Sequence, residues 1–376
     1  MVVLALVAGF VLLVAGGESL VRGAGSLART LGMSSLVVGL TVVSFTTSAP
    51  ELAVSTDAAL SGYPGLAVGN VVGSNIANIL FVLGAAALFV PLAVSSQVVR
   101  ADIPVMVVLS GVVLLMALDG HLGRLDGAVL FAALVVYVTV TVLLSRRRVL
   151  ASASPAPEDA LGGDPAGADG RVRSVLRDLG LVVLGTVMLV AGARLLVYSA
   201  STIAAVLGVS DLLIGLTVVA VGTSLPELVT CVVAVLRGER DMAVGNVVGS
   251  NVFNIGAVLG VTAVVAPEGI AVAPAAQRFD LPVMLAVALV LVPVALTGLG
   301  VARWEGALFV GFYAAYLAYL VLEATGHAAL RPYSAAMLWF VIPLTALWLV
   351  AVAVYEVGAR RRGRRSRAAR EPAERD

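Results

Sequence analysis

Two strings decide how this chain is read: GLTVVSFTTSAPELAVS at residues 39–55 and GLTVVAVGTSLPELVT at 215–230. Each sets Thr-Ser-x-Pro-Glu inside an apolar run. The first supplies Thr47, Ser48, Pro50 and Glu51, and the second supplies Thr223, Ser224, Pro226 and Glu227. Each is followed by AVGNVVGSN, at 67–75 and again at 243–251. Residues 36–84 align with 212–260 without a gap, at an offset of 176, and 28 of the 49 positions are identical. Five apolar stretches separate each element from its copy. An odd number makes the copies enter a membrane in opposite directions. That predicts an inverted-topology repeat, which in many secondary transporters places the substrate site at the repeat interface near the bilayer midplane.

The rest of the chain requires a membrane. Of 376 residues, 60% are hydrophobic and 12% charged, with a mean hydropathy of +1.05. Soluble domains carry roughly a quarter charged residues, so a soluble globular enzyme is excluded. One cysteine, Cys231, excludes a disulfide scaffold. Two histidines and that cysteine are too few for a zinc, haem or iron–sulfur centre, so no cofactor is expected. A net charge of +1 gives no reason to expect nucleic acid, and no obligate protein partner is inferred. Apolar stretches at 2–21, 35–60, 66–90, 100–118, 125–144, 179–200, 211–236, 242–265, 281–299, 304–322 and 335–357 read as eleven spans. The expected fold is an all-α polytopic membrane protein. Its parts are a first five-helix repeat over 1–144, a linker over 145–178, a second inverted five-helix repeat over 179–322, an additional C-terminal helix over 335–357 and a basic tail over 358–376. Met1–Gly17 resembles a signal peptide, but VLLVAGG (11–17) recurs mid-chain as VMLVAGA (187–193), so it is read as a span.

Charge sets the orientation. Residues 145–178 and 358–376 hold 22 of the 47 charged residues. With the N-terminus outside, twenty arginines face the cytoplasm, and Arg124, Arg194, Arg278 and Arg331 face out. That is a strong positive-inside bias. The linker and C-terminus are therefore expected in the cytoplasm.

Of the 23 acids, Glu51 and Glu227 lie deepest from any span end. A carboxylate near the bilayer centre costs several kcal/mol if isolated and persists where it meets a cation or proton in a protein cavity. Each motif proline removes a backbone donor, so Pro50 is expected to free the carbonyl of Thr46 and Pro226 that of Gly222. Carbonyls, hydroxyls and two carboxylates form an all-oxygen set, which suits hard cations such as Ca²⁺ and Na⁺. The following span supplies Gly-Ser-Asn-x-x-Asn: Ser74 with Asn78, and Ser250 with Asn254, each pair four residues apart and so on one helix face. Gly69, Gly73, Gly245 and Gly249 are expected to allow close helix approach. Asn75 and Asn251 are read as helix–helix hydrogen bonders.

These paired strings resemble the two alpha-repeats of the cation/calcium exchanger superfamily, and most of all those of prokaryotic sodium/calcium exchangers. The resemblance covers residues 5–322 and implies an electrogenic antiporter in the cell membrane of a prokaryote, moving Ca²⁺ and Na⁺ by alternating access. It implies that Glu51 and Glu227 bind both ions, and that Thr47, Ser48, Thr223 and Ser224 complete the shell. It further implies carbonyl ligands at Ser44 and Ala220, side-chain ligands at Ser74, Asn78, Ser250 and Asn254, and a sliding first helix in each repeat. Three departures stand out: Thr46 where the family has Gly, Asn254 where some members carry Asp, and the span at 335–357. A Ca²⁺/H⁺ exchanger on the same scaffold is the alternative, because buried carboxyls carry protons readily. A cation channel and a membrane enzyme are weaker readings. His121 and His327 lie far from either glutamate, and nothing offers a nucleophile–base pair.

Overall fold

The computed structural model describes residues 1–152, 168–296, 299–352, 354, 355 and 358. Among these, ten helices are long and apolar enough to cross a membrane, and two shorter helices bent by 51° make up a broken span. The first repeat comprises α1 (Val2–Leu31), α2 (Ser35–Leu60), α3 (Pro64–Phe89), α4 (Val98–Asp119) and α5 (Arg124–Ser152). The second comprises α6 (Ala168–Val206), the broken α7 (residues 211–236), α8 (Arg240–Val265), α9 (Ala276–Leu296) and α10 (Arg303–Ala324). The helix α11 (Leu330–Val352) is the additional C-terminal one.

Several edges differ from the hydropathy reading. The first helix continues past Val21, its expected end, to Leu31, and stops where Gly32 adopts φ 62°, ψ 40°. A left-handed C-terminal glycine ends a helix, whereas arginines at 22 and 29 do not. The expected linker is helical at both ends, since α5 continues to Ser152 and α6 begins at Ala168. Residues 153–167, and the basic tail apart from Gly358, lie outside the described residues. Arg194, expected among the outward-facing arginines, sits inside α6, twelve residues before Val206. At 1.5 Å per residue that is about 18 Å of helix.

Helices α1 and α6 pack antiparallel along a glycine seam. A Cβ on Gly16 would lie 2.8 Å from the Gly185 carbonyl oxygen, and one on Gly192 would lie 2.8 Å from that of Gly9. The offset of 176 maps Gly9 onto Gly185 and Gly16 onto Gly192, so the seam is its own pseudo-two-fold image. Lipid tails are as apolar as side chains, so this backbone proximity supplies the packing that holds the pair.

The buried centre of the bundle is α2, α3, α7 and α8. Two short ribbons join the repeats. β1 (Leu92–Ala93) pairs antiparallel with β4 (Gly300–Val301), and β2 (His121–Leu122) pairs with β3 (Ile270–Ala271).

Candidate functional site

π-helical turns flank the motif in both repeats. They occupy Gly39–Val43 and Gly215–Val219, then Asn78–Leu83 and Asn254–Leu259. A π turn carries one surplus residue and is common at functional sites. Here one pair leads into Thr-Ser-x-Pro-Glu, and the other begins at the last Asn of Gly-Ser-Asn-x-x-Asn.

The two prolines act differently. Pro50 lies inside the helix Ser44–Leu60, where its missing N–H leaves the Thr46 carbonyl without an i+4 donor. Pro226 instead sits in the first turn of the helix Leu225–Leu236, a position that proline tolerates. The second copy therefore breaks at Ser224, whose N–H turns to the Val221 carbonyl at 3.2 Å. Pro226 still denies the Gly222 carbonyl an i+4 donor, as Pro50 does for Thr46, but the second copy breaks there while the first stays helical.

Glu51 and Glu227 are each about 97–98% buried. Most of the expected side-chain oxygens are buried as well. Ser48 Oγ, Glu51 Oε2, Ser74 Oγ, Asn78 Oδ1, Ser224 Oγ, Glu227 Oε2 and Asn254 Oδ1 are all buried without a hydrogen-bond partner. A buried polar atom left unsatisfied costs about 1–3 kcal/mol, and charged ones cost more. Seven such oxygens from both repeats suit a cation with six to eight oxygen ligands. Among the described residues no three His, Cys, Asp or Glu side chains gather. The charge of the site is then the two glutamates, a formal −2, and neutral donors fill the rest.

Three expected ligands are already engaged through their hydroxyls. Ser44 Oγ donates to the Gly39 carbonyl at 2.7 Å and lies 3.0 Å from that of Asn246. Thr47 Oγ1 lies 3.3 Å from both Asn246 Oδ1 and Ser250 Oγ, and 3.4 Å from the Ser44 carbonyl. It also reaches the Glu227 carboxylate, which in turn feels the charge of Glu51. Ser250 therefore meets α2 across the repeat interface. Ala220 begins the short helix Ala220–Thr223, one turn before Ser224.

Asn75 bonds between helices, as expected, whereas the Asn251 side chain does not. Asn254 Nδ2 donates to Asn75 Oδ1 at 3.0 Å, which leaves the Asn254 oxygen buried without a partner. Asn251 Nδ2 donates to the Val247 carbonyl at 3.1 Å, inside its own helix.

Two contributors carry no role in the sequence reading. Asn70 Nδ2 donates to Ser55 Oγ at 3.0 Å and approaches the Glu51 carbonyl at 3.4 Å. Asn246 holds Thr47 and Ser250 through its Oδ1. The signal for both is present in the string. Each lies four residues before the motif serine, within the stretch common to both repeats, so 70, 74 and 78, and 246, 250 and 254, share one helix face.

The repeats pack unequally. On α8, a Cβ at Gly245 would meet the Leu36 carbonyl oxygen at 2.6 Å, and one at Gly249 would strike Ser44 Oγ and the Leu40 carbonyl oxygen, the latter at 2.7 Å. On α3, a Cβ at Gly69 or Gly73 would meet nothing within 4 Å among the described residues. Close approach therefore holds for one glycine pair and not for the other. A cavity of about 310 Å³ lies nearby, and its lining includes Glu51, Asn70 of α3, Arg194, Gly222 and Thr223. Helix α2 is closed onto α8, while the first part of α7 stands open from α3.

The sequence model described as "Sodium/calcium exchanger protein" matches residues 1–143 and 178–322. This chain belongs to the sodium/calcium exchanger family. The exchanger is 33% identical over 313 residues to the sodium/calcium exchanger MaX1 of Methanosarcina acetivorans, covering 76% of this chain and 89% of that one. It is 42% identical over 258 residues to the putative antiporter CaxA of Alkalimonas amylolytica, covering 69% and 78%. A solved structure of the sodium-calcium exchanger NCX_Mj superposes with a TM-score of 0.71 at 32% identity, covering 84% of this chain and 98% of that one. The protein is thus an integral membrane cation/Ca²⁺ antiporter with inverted repeats, from a family of transporters.

Thr46 is the exchanger's departure beside the site. Its hydroxyl turns back to the carbonyls of Val42 and Val43, at 2.9 and 2.8 Å, and not toward the glutamates. Its counterpart Gly222 abuts Val197 of α6, where a Cβ would clash. Thr46→Gly is expected to change apparent ion affinities by less than about 3-fold in proteoliposome flux, because back-bonding to the helix contributes little to a neighbouring ligand. Gly222→Thr is expected to lower flux in the same assay, because the Val197 side chain must shift to admit it.

Proposed function

We propose that the exchanger moves Na⁺ against Ca²⁺ by alternating access, through one site in which both ions compete for Glu51 and Glu227. The observation that carries this reading is the set of seven unpartnered buried oxygens, drawn from both repeats and centred on two carboxylates. Ser48, Ser74, Asn78, Ser224 and Asn254 offer side-chain oxygens. Thr47, Thr223 and Ser250 offer hydroxyls, and Ser44 and Ala220 offer backbone carbonyls. One Ca²⁺ neutralises the formal −2, as do two Na⁺, and a third Na⁺ leaves +1. Because one set of ligands serves either ion, the two exchange and do not travel together. Two unneutralised carboxylates deter the empty site from crossing, by their desolvation cost.

The proposed setting is the cell membrane of a prokaryote, with the N-terminus outside and the linker and tail in the cytoplasm. In that orientation the cavity beside Glu51 opens outward, and the α2–α8 contact closes the cytoplasmic side.

The same two buried carboxyls are chemically able to carry protons, so Ca²⁺/H⁺ exchange is the second reading. Purified protein in liposomes loaded with Na⁺ is expected to accumulate ⁴⁵Ca when diluted into Na⁺-free buffer at equal pH. Uptake driven by a pH gradient and indifferent to Na⁺ would replace the first reading with the second.

A further inference from the structure

The repeat offset of 176 relates Glu18 on α1 to Arg194 on α6, so equivalent positions carry opposite charges. Their surroundings differ. Glu18 accepts from Arg22 at 3.1 Å and from Arg237 Nε at 2.6 Å, which neutralises it. Arg194 has no carboxylate within ion-pair distance among the described residues. The position equivalent to Arg237 is 237 − 176 = 61, and Ser61 carries no charge. The Arg194 side chain lines the cavity of about 310 Å³ that reaches Glu51. One wall of that cavity is a single face of α6, formed by Val190, Ala193, Arg194 and Val197.

We propose that Arg194 is a specificity-determining residue, a tethered cation on the route to Glu51 that disfavours divalent more than monovalent ions. The proposal rests on the reading of Glu51 and Glu227 as ion ligands. A guanidinium stays protonated in proteins, so this charge is permanent. Coulomb energy scales with the product of the charges. At one position, Arg194 therefore opposes Ca²⁺ with twice the free energy with which it opposes Na⁺, and the factor in affinity is squared. A factor of about 10 for Na⁺ would thus accompany one of about 100 for Ca²⁺. The cavity screens part of this in high salt. Such a charge keeps the site from holding Ca²⁺ too tightly to release it, which an exchanger requires.

The test is equilibrium binding of Na⁺ and Ca²⁺, each titrated separately by calorimetry into full-length protein in nanodiscs. Arg194→Gln is expected to tighten both ions, Ca²⁺ by about the square of the factor for Na⁺, so that about 10-fold for Na⁺ goes with about 100-fold for Ca²⁺. Arg194→Lys, which keeps the charge, is expected to stay near the wild type. Equal shifts for the two ions, or none, overturn the proposal, since a packing role has no reason to follow ionic charge. If the Gln variant does not fold, R194C in a C231A background replaces it, because the only native thiol, Cys231, is fully buried. A cationic methanethiosulfonate is then expected to restore the wild-type constants, and a neutral one to leave them tightened. The reverse pattern overturns the proposal. Wild-type protein that binds neither ion overturns the reading of the site itself. Wild-type protein that binds both, with a charge-blind R194Q, overturns this proposal alone.

Discussion

Glu51→Ala and Glu227→Ala are each expected to abolish Na⁺-dependent ⁴⁵Ca flux in proteoliposomes and to weaken Ca²⁺ binding by at least about 100-fold. The magnitude follows from what remains. Removing one carboxylate halves the formal charge that faces a divalent ion, and breaking a buried charge pair costs about 3–5 kcal/mol. At about 1.4 kcal/mol per tenfold, that is two to three orders of magnitude in affinity. The two variants are expected to fail alike, because the glutamates are coupled: Thr47 of the first repeat reaches the Glu227 carboxylate, and Glu51 acts on it through space. The Glu→Gln variants separate charge from volume. They keep the packing of two residues that are almost wholly buried and are expected to fold normally while losing flux. Full exchange in both Ala variants would sink the site assignment.

The second large effect concerns the unequal glycines. Gly249→Val is expected to prevent recovery of folded protein, read as loss of the monodisperse peak in detergent chromatography. The new side chain would drive into Ser44 Oγ and the Leu40 backbone, and backbone cannot yield as a flexible side chain can. Gly73→Val has open space around it in this conformation. It is expected to fold, to bind Ca²⁺ with near-normal affinity and to lose exchange by more than about 10-fold. Alternating access would carry α7 onto α3 as α2 now lies on α8, and the valine would obstruct that closure. Normal exchange in Gly73→Val would mean that α3 and α7 never close in this way.

That pair of glycines also marks the limit of what the amino-acid string can reveal. The repeat identity, the odd count of intervening spans and the depth of Glu51 and Glu227 are properties of order and composition, and they carry directly into the fold. The serines and asparagines of the motifs are legible for the same reason, since i, i+4 spacing fixes a helix face whatever surrounds it. The difference between the copies is not. Ser48 lies within a helix and Ser224 at a break, although both stand in Thr-Ser-x-Pro-Glu. The copies differ locally, Thr46 against Gly222, and in packing, with α2 against α8 and α7 away from α3. Arg194 escapes the sequence reading for a related reason. Counting arginines near span ends treats each as a loop residue, and this one lies in the interior of a helix that lines a cavity together with α2, α3 and α7.

The two ribbons bear on how the molecule is made. Leu92 pairs with Val301, and His121 pairs with Ala271. Neither ribbon can form while only the first repeat has left the ribosome, and the β1–β4 ribbon needs about four-fifths of the 376 residues. The site has the same requirement, since Thr47 has no Asn246 or Ser250 to meet until α8 exists. Contacts of such long range form late and close slowly. The first five helices must therefore rest in the bilayer as an incomplete half, with polar ligands unmatched, until the second half arrives. Quality control that recognises exposed polar groups within the membrane has its longest opportunity to act in that interval.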